Sequence, residues 1–337
     1  MAIGLNVDLP FVSIIVIGRN EERNLPASFA AIDGMDYPRE KLEIIYVDSD
    51  SDDASREIAS RWTNRVLTER HSLPSAARGR NKGLVAARGG IVHFVDGDTA
   101  IDPGYLKRAV TVLENPEIHA VSGSLMELGQ SFWAWLMSSA WDGPRDGPAA
   151  STSAGGTYRR KSLMNVNGYD ERLVMGEETE LGDRFRNHGF KIWSIDHPMG
   201  IHRYALNGLA DYLKRCVKNG RIQARSLFIP SESDYFRRSR RLVHINVLFH
   251  FLFILALGMT FLARQPIFIV YSFCVYLIFL FAKYLIIRRI KSGRLFLHFV
   301  VMNLARPFSF WGQCTEYLKL AFNRRYRELV SVEKMRL

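Results

Sequence analysis

Three short apolar runs, each ending in a polar or acidic loop, set the strongest constraint on this chain. Residues 11–17, 42–47 and 91–95 are rich in Val, Ile, Leu and aromatic side chains. They lack the alternation of a strand with one wet face. They therefore read as strands covered on both faces, the environment of a parallel sheet. Residues 25–32, 54–62 and 84–88 read as intervening helices, the last broken by Gly89-Gly90, and 120–124 as a fourth strand. This alternation predicts an α/β fold with an open, mostly parallel central sheet. Ligands of such sheets bind beyond the carboxyl ends of the strands. The chemistry is expected just after Ile17, Val47 and Val95.

Composition narrows the partners. The chain has 337 residues, enough for a packed core without staples. Its 3 cysteines, Cys216, Cys274 and Cys314, form no CxxC pair. That excludes a zinc or disulfide framework and points to a reducing compartment. The formal net charge is +11 and the pI about 9.6, which favours phosphate-bearing partners. Residues 1–10 show neither a basic n-region nor an apolar h-region, so no signal peptide is expected.

The mean hydropathy of -0.06 hides a division. Residues 204–228 mix Leu and Tyr with Lys and Arg at helical spacing, as in a basic amphipathic helix lying on a membrane surface. Residues 243–262 and 266–287 are apolar runs of about 20 and about 22 residues, each long enough to cross a bilayer. Only Ala263-Arg264-Gln265 separates them, so a transmembrane helical hairpin is expected. Arg237, Arg238, Arg240 and Arg241 precede it; Arg288, Arg289, Lys291 and Arg294 follow. The positive-inside rule puts these flanks, and the N-terminal domain, on the cytoplasmic side of the inner membrane. The anionic leaflet then accounts for the basic clusters, and nucleic acid is not expected as a partner. A third apolar stretch, 295–311, is interrupted by Arg306-Pro307. It reads as an interfacial or re-entrant helix before the basic cytoplasmic tail at Arg324. The alternative is that all three stretches are core helices. His244, Asn246, His250 and Lys283 fall in these runs and receive no role. Residues 141–156, rich in Gly, Pro, Ala and Ser, read as a mobile loop.

Four clusters carry candidate chemistry. Asp96-Gly97-Asp98 ends an apolar strand, and its two carboxylates suit a hard cation such as Mg²⁺ or Mn²⁺ that also holds substrate phosphates. The same tripeptide also serves as a plain solvated turn. The acidic run from Asp48 to Asp53 lacks EF-hand spacing. It suits hydrogen bonds to a base or ribose, or an N-terminal cap for the next helix. Arg78, Arg80 and Lys82 open a helix and suit a diphosphate, or simply a solvated helix start. Glu177 and Glu178 precede a helix over 181–188, where a carboxylate serves as general base or as dipole compensation.

In this order the motifs resemble those of the family 2 inverting glycosyltransferases, which have the GT-A fold. The strand-turn from Val12 to Glu22, the strand end Val47–Asp53 region, Gly79-Arg80-Asn81-Lys82-Gly83, Ala87-Arg88-Gly89 and Phe94-Val95-Asp96-Gly97-Asp98 are similar to the donor half. Gly155-Gly156-Thr157, Gly168-Tyr169-Asp170-Glu171 and Glu177–Leu181 are similar to the acceptor half. The resemblance covers roughly residues 11–228. It implies a GT-A catalytic domain over 1–203, with a nucleotide-sugar and metal half (11–125) and an acceptor half (126–203). Interfacial helices (204–242), two transmembrane helices (243–287) and a third apolar helix with a basic tail (288–337) complete the expected plan.

The resemblance also implies roles. Asp48 would meet the nucleobase, Glu21 or Glu22 the nucleoside, and Arg80 and Lys82 the nucleoside or diphosphate. Asp98 would hold the metal, with Asp96 near the donor sugar or sharing the metal, and His202 or His197 completing the site. The base would be Glu178, where the family has Asp, with Glu177 as fallback. Processive synthases of the family carry QxxRW; here Gln223-Ala224-Arg225 has no neighbouring Trp, which favours single-sugar transfer. The expected donor is a nucleotide-sugar, UDP-linked, with Mg²⁺ or Mn²⁺ as cofactor. The expected acceptor is a polyprenyl-diphosphate-linked or other lipid-linked saccharide. The alternatives are a polyprenyl-phosphate monosaccharide synthase and a catalytically silent nucleotide-binding membrane subunit.

Overall fold

The computed structural model describes residues 9–71, 75–127, 132–133, 146–203, 208–225, 227–229, 231, 233–263, 306–324 and 327–328. Parallel strands β1 (Val12–Gly18), β2 (Leu42–Asp48), β3 (Val66–Thr68) and β4 (Ile91–Asp96) form one half of a sheet. β1 lies between β2 and β4, in register Gly18 opposite Asp48 and Ile17 opposite Asp96. The chain thus leaves β1 in one direction and returns to its other side, the crevice where α/β sheets bind ligands. The expected strands form within a residue or so of their predicted bounds at these three positions.

Strands β5 (Thr99–Ile101), β6 (Ile118–Glu127), β7 (Gly147–Ala149), β8 (Thr157–Arg159) and β9 (Lys191–His202) extend it in the order β3-β2-β1-β4-β8-β6-β9-β5, with β7 on β9. Beyond β4, β8 pairs antiparallel with β4 and β6, β5 and β7 pair antiparallel with β9, and β6 pairs parallel with β9. The sheet is therefore mixed: its N-terminal half is parallel as expected, and its C-terminal half joins one parallel pair, β6 with β9, to antiparallel neighbours. Gly147–Ala149 also corrects part of the loop expected over 141–156; Pro148 sits there because β7 is a short strand paired on one side. Residues 141–145 lie outside the described residues.

Both faces are covered, as the unbroken apolar strands require. Val12, Ile14 and Val16 join one core with Leu25 and Phe29 of helix α1 (Leu25–Asp33) and Leu106 of α4 (Tyr105–Leu113). Ile15 and Ile17 join the other, with residues of α3 (Ala76–Ala86), α5 (Arg160–Asn165) and α6 (Glu177–Asn187). A short α2 (Ser55–Ser60) follows β2. Helix α3 begins well before the predicted 84–88. Ser75 caps it, its Oγ accepting the Arg78 N–H at 3.4 Å. Gly83 faces Ile15 so closely that no Cβ would fit, which lets α3 lie directly on β1.

The loops after β1 and β2 are stitched together. The amides of Asn20 and Glu21 donate to the Ser51 and Ser55 hydroxyls, and the Glu22 amide to Asp53 Oδ2 at 3.1 Å. In return Asn20 Oδ1 and Glu22 Oε2 accept the amides of Asp52 and Ala54.

The C-terminal helices are α7 (Leu209–Arg225), α8 (Asp234–Ala263) and α9 (Arg306–Phe322). α7 and α9 share the Arg225 Nε–Glu316 Oε1 pair at 2.8 Å. The described part of α9 begins at Arg306-Pro307, and the residues before it in the third apolar stretch lie outside the described residues. α8 runs unbroken across residue 242, where a span was expected to begin. Its second half exposes Leu248, Phe251, Leu252, Ile254, Leu255, Met259 and Leu262. Its first half carries Arg237, Arg238, Arg240 and Arg241. Among the described residues no helix is long and apolar enough to cross a membrane. The expected second span (266–287), with Lys283, lies outside the described residues, as does most of the third apolar stretch.

Candidate active site

A cavity of about 320 Å³ opens at the carboxyl ends of β1, β2 and β4. Ile17, Gly18 and Arg19 line it from β1, Ser49 from β2, and Asp96, Gly97 and Asp98 from β4. Glu21 lines it too, as do Ser75 and Ala76 at the start of α3. The N-terminal amides of an 11-residue helix thus border the cavity, a position suited to phosphate oxygens. Burial raises the Glu21 carboxyl above its usual range; the Asn24 hydrogen bond opposes this, and the charges of Asp98 and Asp96 add to it. Glu22 sits in the stitched loops and takes no part in the lining.

Arg80 dominates the chemistry. Its side chain is 1% exposed, and Nη1 donates to Glu177 Oε1 at 3.0 Å and Glu178 Oε1 at 2.9 Å. Nη2 donates to Asp96 Oδ1 at 3.0 Å, and the guanidinium lies 5.2 Å from the Tyr169 ring centre. Burial works against its charge, but Asp96 and Glu178 outweigh it and hold the guanidinium protonated. One cation therefore joins the acid that ends β4 to the two acids opening α6.

Glu178 is 15% exposed. Burial, then the neighbouring Glu177 charge, push its carboxyl up to about 7, while Arg80 pulls the other way. A carboxyl titrating near neutrality, open to the solvent on one side, has the properties of a general base. Glu177 is more deeply buried. α6 starts at Glu177, four residues before the predicted helix start, so both acids belong to its first turn.

Asp98 Oδ2 and His202 Nε2 lie 3.0 Å apart. The contact arises because β5, directly after the acidic turn, pairs antiparallel with the end of β9, Thr99 opposite His202. Asp96 is turned to Arg80 instead. Among the described residues no group of three or more His, Cys, Asp or Glu is placed to hold a metal. The expected set Asp98, Asp96 and His202 is therefore reduced to one carboxylate and one imidazole. Such a pair fits a Mn²⁺ or Mg²⁺ that takes its remaining ligands from a diphosphate and water. His197 pairs with Asp102 at 2.9 Å, beside a separate cavity bordered by Lys107 and Arg108.

Other expected residues lie elsewhere. Asp48 is fully buried; Oδ2 accepts the Ser51 amide at 2.9 Å, and Arg56 and Tyr46 approach it. It shapes the turn after β2 and is absent from the cavity lining. Lys82 Nζ donates to the Thr68 carbonyl at 2.5 Å and to Glu69 at 3.2 Å, bracing β3. Arg78 pairs with Glu171 at 3.0 Å. Asn81, unassigned from the sequence, exchanges hydrogen bonds with the Tyr169 backbone at 2.8 and 2.9 Å. The basic stretch of α3 thus ties the two halves of the domain together, and the helix start, rather than these cations, faces the cavity.

The site has the makings of a transferase acting on an activated, phosphate-bearing donor: a cavity at the switch point, a cation-competent pair and a near-neutral carboxyl. Residues 13–169 match the family model described as Glycosyl transferase family 2. Glycosyltransferase AglE of Haloferax volcanii is 32% identical over 122 residues, 35% of this chain and 40% of that protein. The beta-monoglucosyldiacylglycerol synthase of Trichormus variabilis is 22% identical over 209 residues, 56% of this chain and 43% of that one. The matches span less than half the length of these two relatives. In fold, the chain is similar to the mannosyltransferase PcManGT from Pyrobaculum calidifontis, solved with GDP-Man and Mn²⁺. The TM-score is 0.55 at 16% identity, over 93% of this chain and 88% of that one.

Proposed function

We propose that the protein is an inverting, non-processive glycosyltransferase that moves one sugar from a nucleotide-sugar, UDP-linked, to a lipid-linked saccharide. The observation that carries this reading is the Arg80 bridge, which sets Glu178 against the acidic turn bordering the cavity. The nucleotide-sugar occupies the cavity, with its diphosphate toward the start of α3. Glu178 takes the proton of an acceptor hydroxyl as that oxygen bonds to the anomeric carbon. The bond from that carbon to the diphosphate oxygen breaks, and the leaving nucleoside diphosphate keeps the electron pair. Attack from the face opposite the leaving group inverts the anomeric centre. Asp98 and His202 would hold Mg²⁺ or Mn²⁺. A metal held there would supply Lewis-acid stabilisation of the leaving diphosphate. Arg80 ties Glu177, Glu178 and Asp96 together, so that Glu178 is held beside the acidic turn.

The lipid-linked acceptor is supported by the exposed apolar half of α8 next to its arginine-rich first half. This order fits attachment to the cytoplasmic face of an anionic membrane, with the catalytic domain in the cytoplasm. A thermal-shift panel of UDP-, GDP- and dTDP-sugars, with and without Mn²⁺, tests the donor assignment. A metal-dependent shift with a UDP-sugar is expected; no shift with any nucleotide-sugar would overturn the reading. If transfer to a bare polyprenyl phosphate survives Glu178→Gln, the enzyme is a polyprenyl-phosphate monosaccharide synthase, because a phosphate nucleophile needs no base.

A further inference from the structure

The first turn of α8 grips the segment that leads into α6. The Tyr235 hydroxyl donates to the Met175 carbonyl at 3.0 Å. The Tyr235 ring covers Gly176, where a Cβ would collide with its hydroxyl and with ring atoms Cζ and Cε2. Gly176 is in the left-handed region at φ +81°, immediately before Glu177. One position on, Phe236 is fully buried against Leu173, Ile229 and Leu320. Its ring lies 5.7 Å from the Arg172 guanidinium. Residues 172–176 are thus clamped by a helix outside the sheet. The clamp ends at the residue before the acids.

We infer that Tyr235 is a positioning residue for Glu178, fixing the Met175–Gly176 peptide so that the first turn of α6 presents Glu178 to Arg80 and to the acceptor. Tyr235 bonds the Met175 carbonyl and covers Gly176, so it acts through the backbone. Two features require this arrangement. Gly176 is the only residue type that fits both its backbone angle and the overlying ring. The Glu180 amide, which starts the helix ladder, donates to the Gly176 carbonyl at 3.0 Å, so any turn of that peptide re-aims the helix start. A shift of about 1 Å in a catalytic group costs roughly 100-fold in rate. Arg238, one turn along α8, pairs with Asp183 at 2.7 Å. It binds α8 to α6 through Asp183, and so provides the control.

This inference rests on Glu178 being the base, and its test separates the two ideas. Tyr235→Ala, Tyr235→Phe and Arg238→Ala are compared in the full-length chain. Hydrogen exchange of peptides over 174–182 is measured, together with kcat and donor KM for the nucleotide-sugar that the panel identifies. Tyr235→Ala is expected to speed exchange over 174–182 and to lower kcat roughly 100-fold, with donor KM within about twofold of wild type. Tyr235→Phe, which keeps the ring, gives a smaller change in the same direction. Arg238→Ala lowers thermal stability but leaves exchange over 174–182 and kcat near wild type. Unchanged exchange in both Tyr235 variants, or a kcat loss no greater than that of Arg238→Ala, would overturn the inference. Normal transfer by Glu178→Gln would instead remove the base assignment while leaving the exchange result standing.

Discussion

Asp96 and Glu178, 82 positions apart in sequence, are bound to opposite nitrogens of one buried guanidinium, at 3.0 and 2.9 Å. Three carboxylates surround a single fixed positive charge. The least buried of the Glu177–Glu178 pair is the one whose proton affinity rises.

Removing that charge has a clear consequence. Arg80→Met leaves Asp96, Glu177 and Glu178 without their shared partner, and is expected to cost roughly 3–5 kcal/mol of stability at neutral pH. Urea unfolding measures it. The loss shrinks as pH falls and the Glu178 carboxyl takes up its proton.

The raised Glu178 carboxyl also sets the sign of a stability change with pH. Its folded value is about 7 and its ordinary value 4.5, so the folded state holds more protons between these limits. Its contribution is fully present below about 4.5 and is lost as pH rises through about 7. Glu178→Gln removes that dependence. Melting curves should show the variant gaining on wild type as pH rises from 5 to 8.

The Asp98–His202 pair predicts graded metal binding. In the presence of UDP, Asp98→Ala is expected to abolish Mn²⁺ binding. His202→Ala weakens it by roughly 10- to 100-fold, the usual cost of losing a group that holds or orients a ligand. Electron paramagnetic resonance of Mn²⁺ reads both.

The apolar half of α8 predicts membrane binding. Replacing Phe251 and Leu255 by Glu is expected to release the protein from phosphatidylglycerol vesicles in a flotation assay. Glu in place of Lys191, which sits on the surface of the sheet domain, should have no effect.

The parallel half of the fold was legible because its strands are buried on both faces, and Ile14 and Ile15 must be apolar whichever way each points. The mixed half was not, since β5, β7 and β8 are three residues each and carry no period. The cavity's place after β1, β2 and β4 followed from the rule that ligands bind beyond the carboxyl ends of such strands, and Asp96 and Asp98 line it. The fates of the basic residues did not follow from any such rule. Arg80, Lys82 and Arg78 share one helix, and only the packing of α3 on β1 decides that Arg80 turns inward while Lys82 reaches β3. Asp48 reads as a ligand and serves as a turn-former for the same reason: its partner is an amide three residues on, invisible in composition. Tyr235 lies in a run that reads as helix flank, and its contact with Gly176 spans about sixty positions.

The most direct test is Glu178→Gln assayed for both donor binding and sugar transfer. Donor affinity in the presence of Mn²⁺ should match wild type, while kcat falls by roughly 10²- to 10⁴-fold and the acid limb near pH 7 disappears from the residual rate. Transfer to a hydroxyl acceptor at the wild-type rate, with the limb intact, would contradict the account.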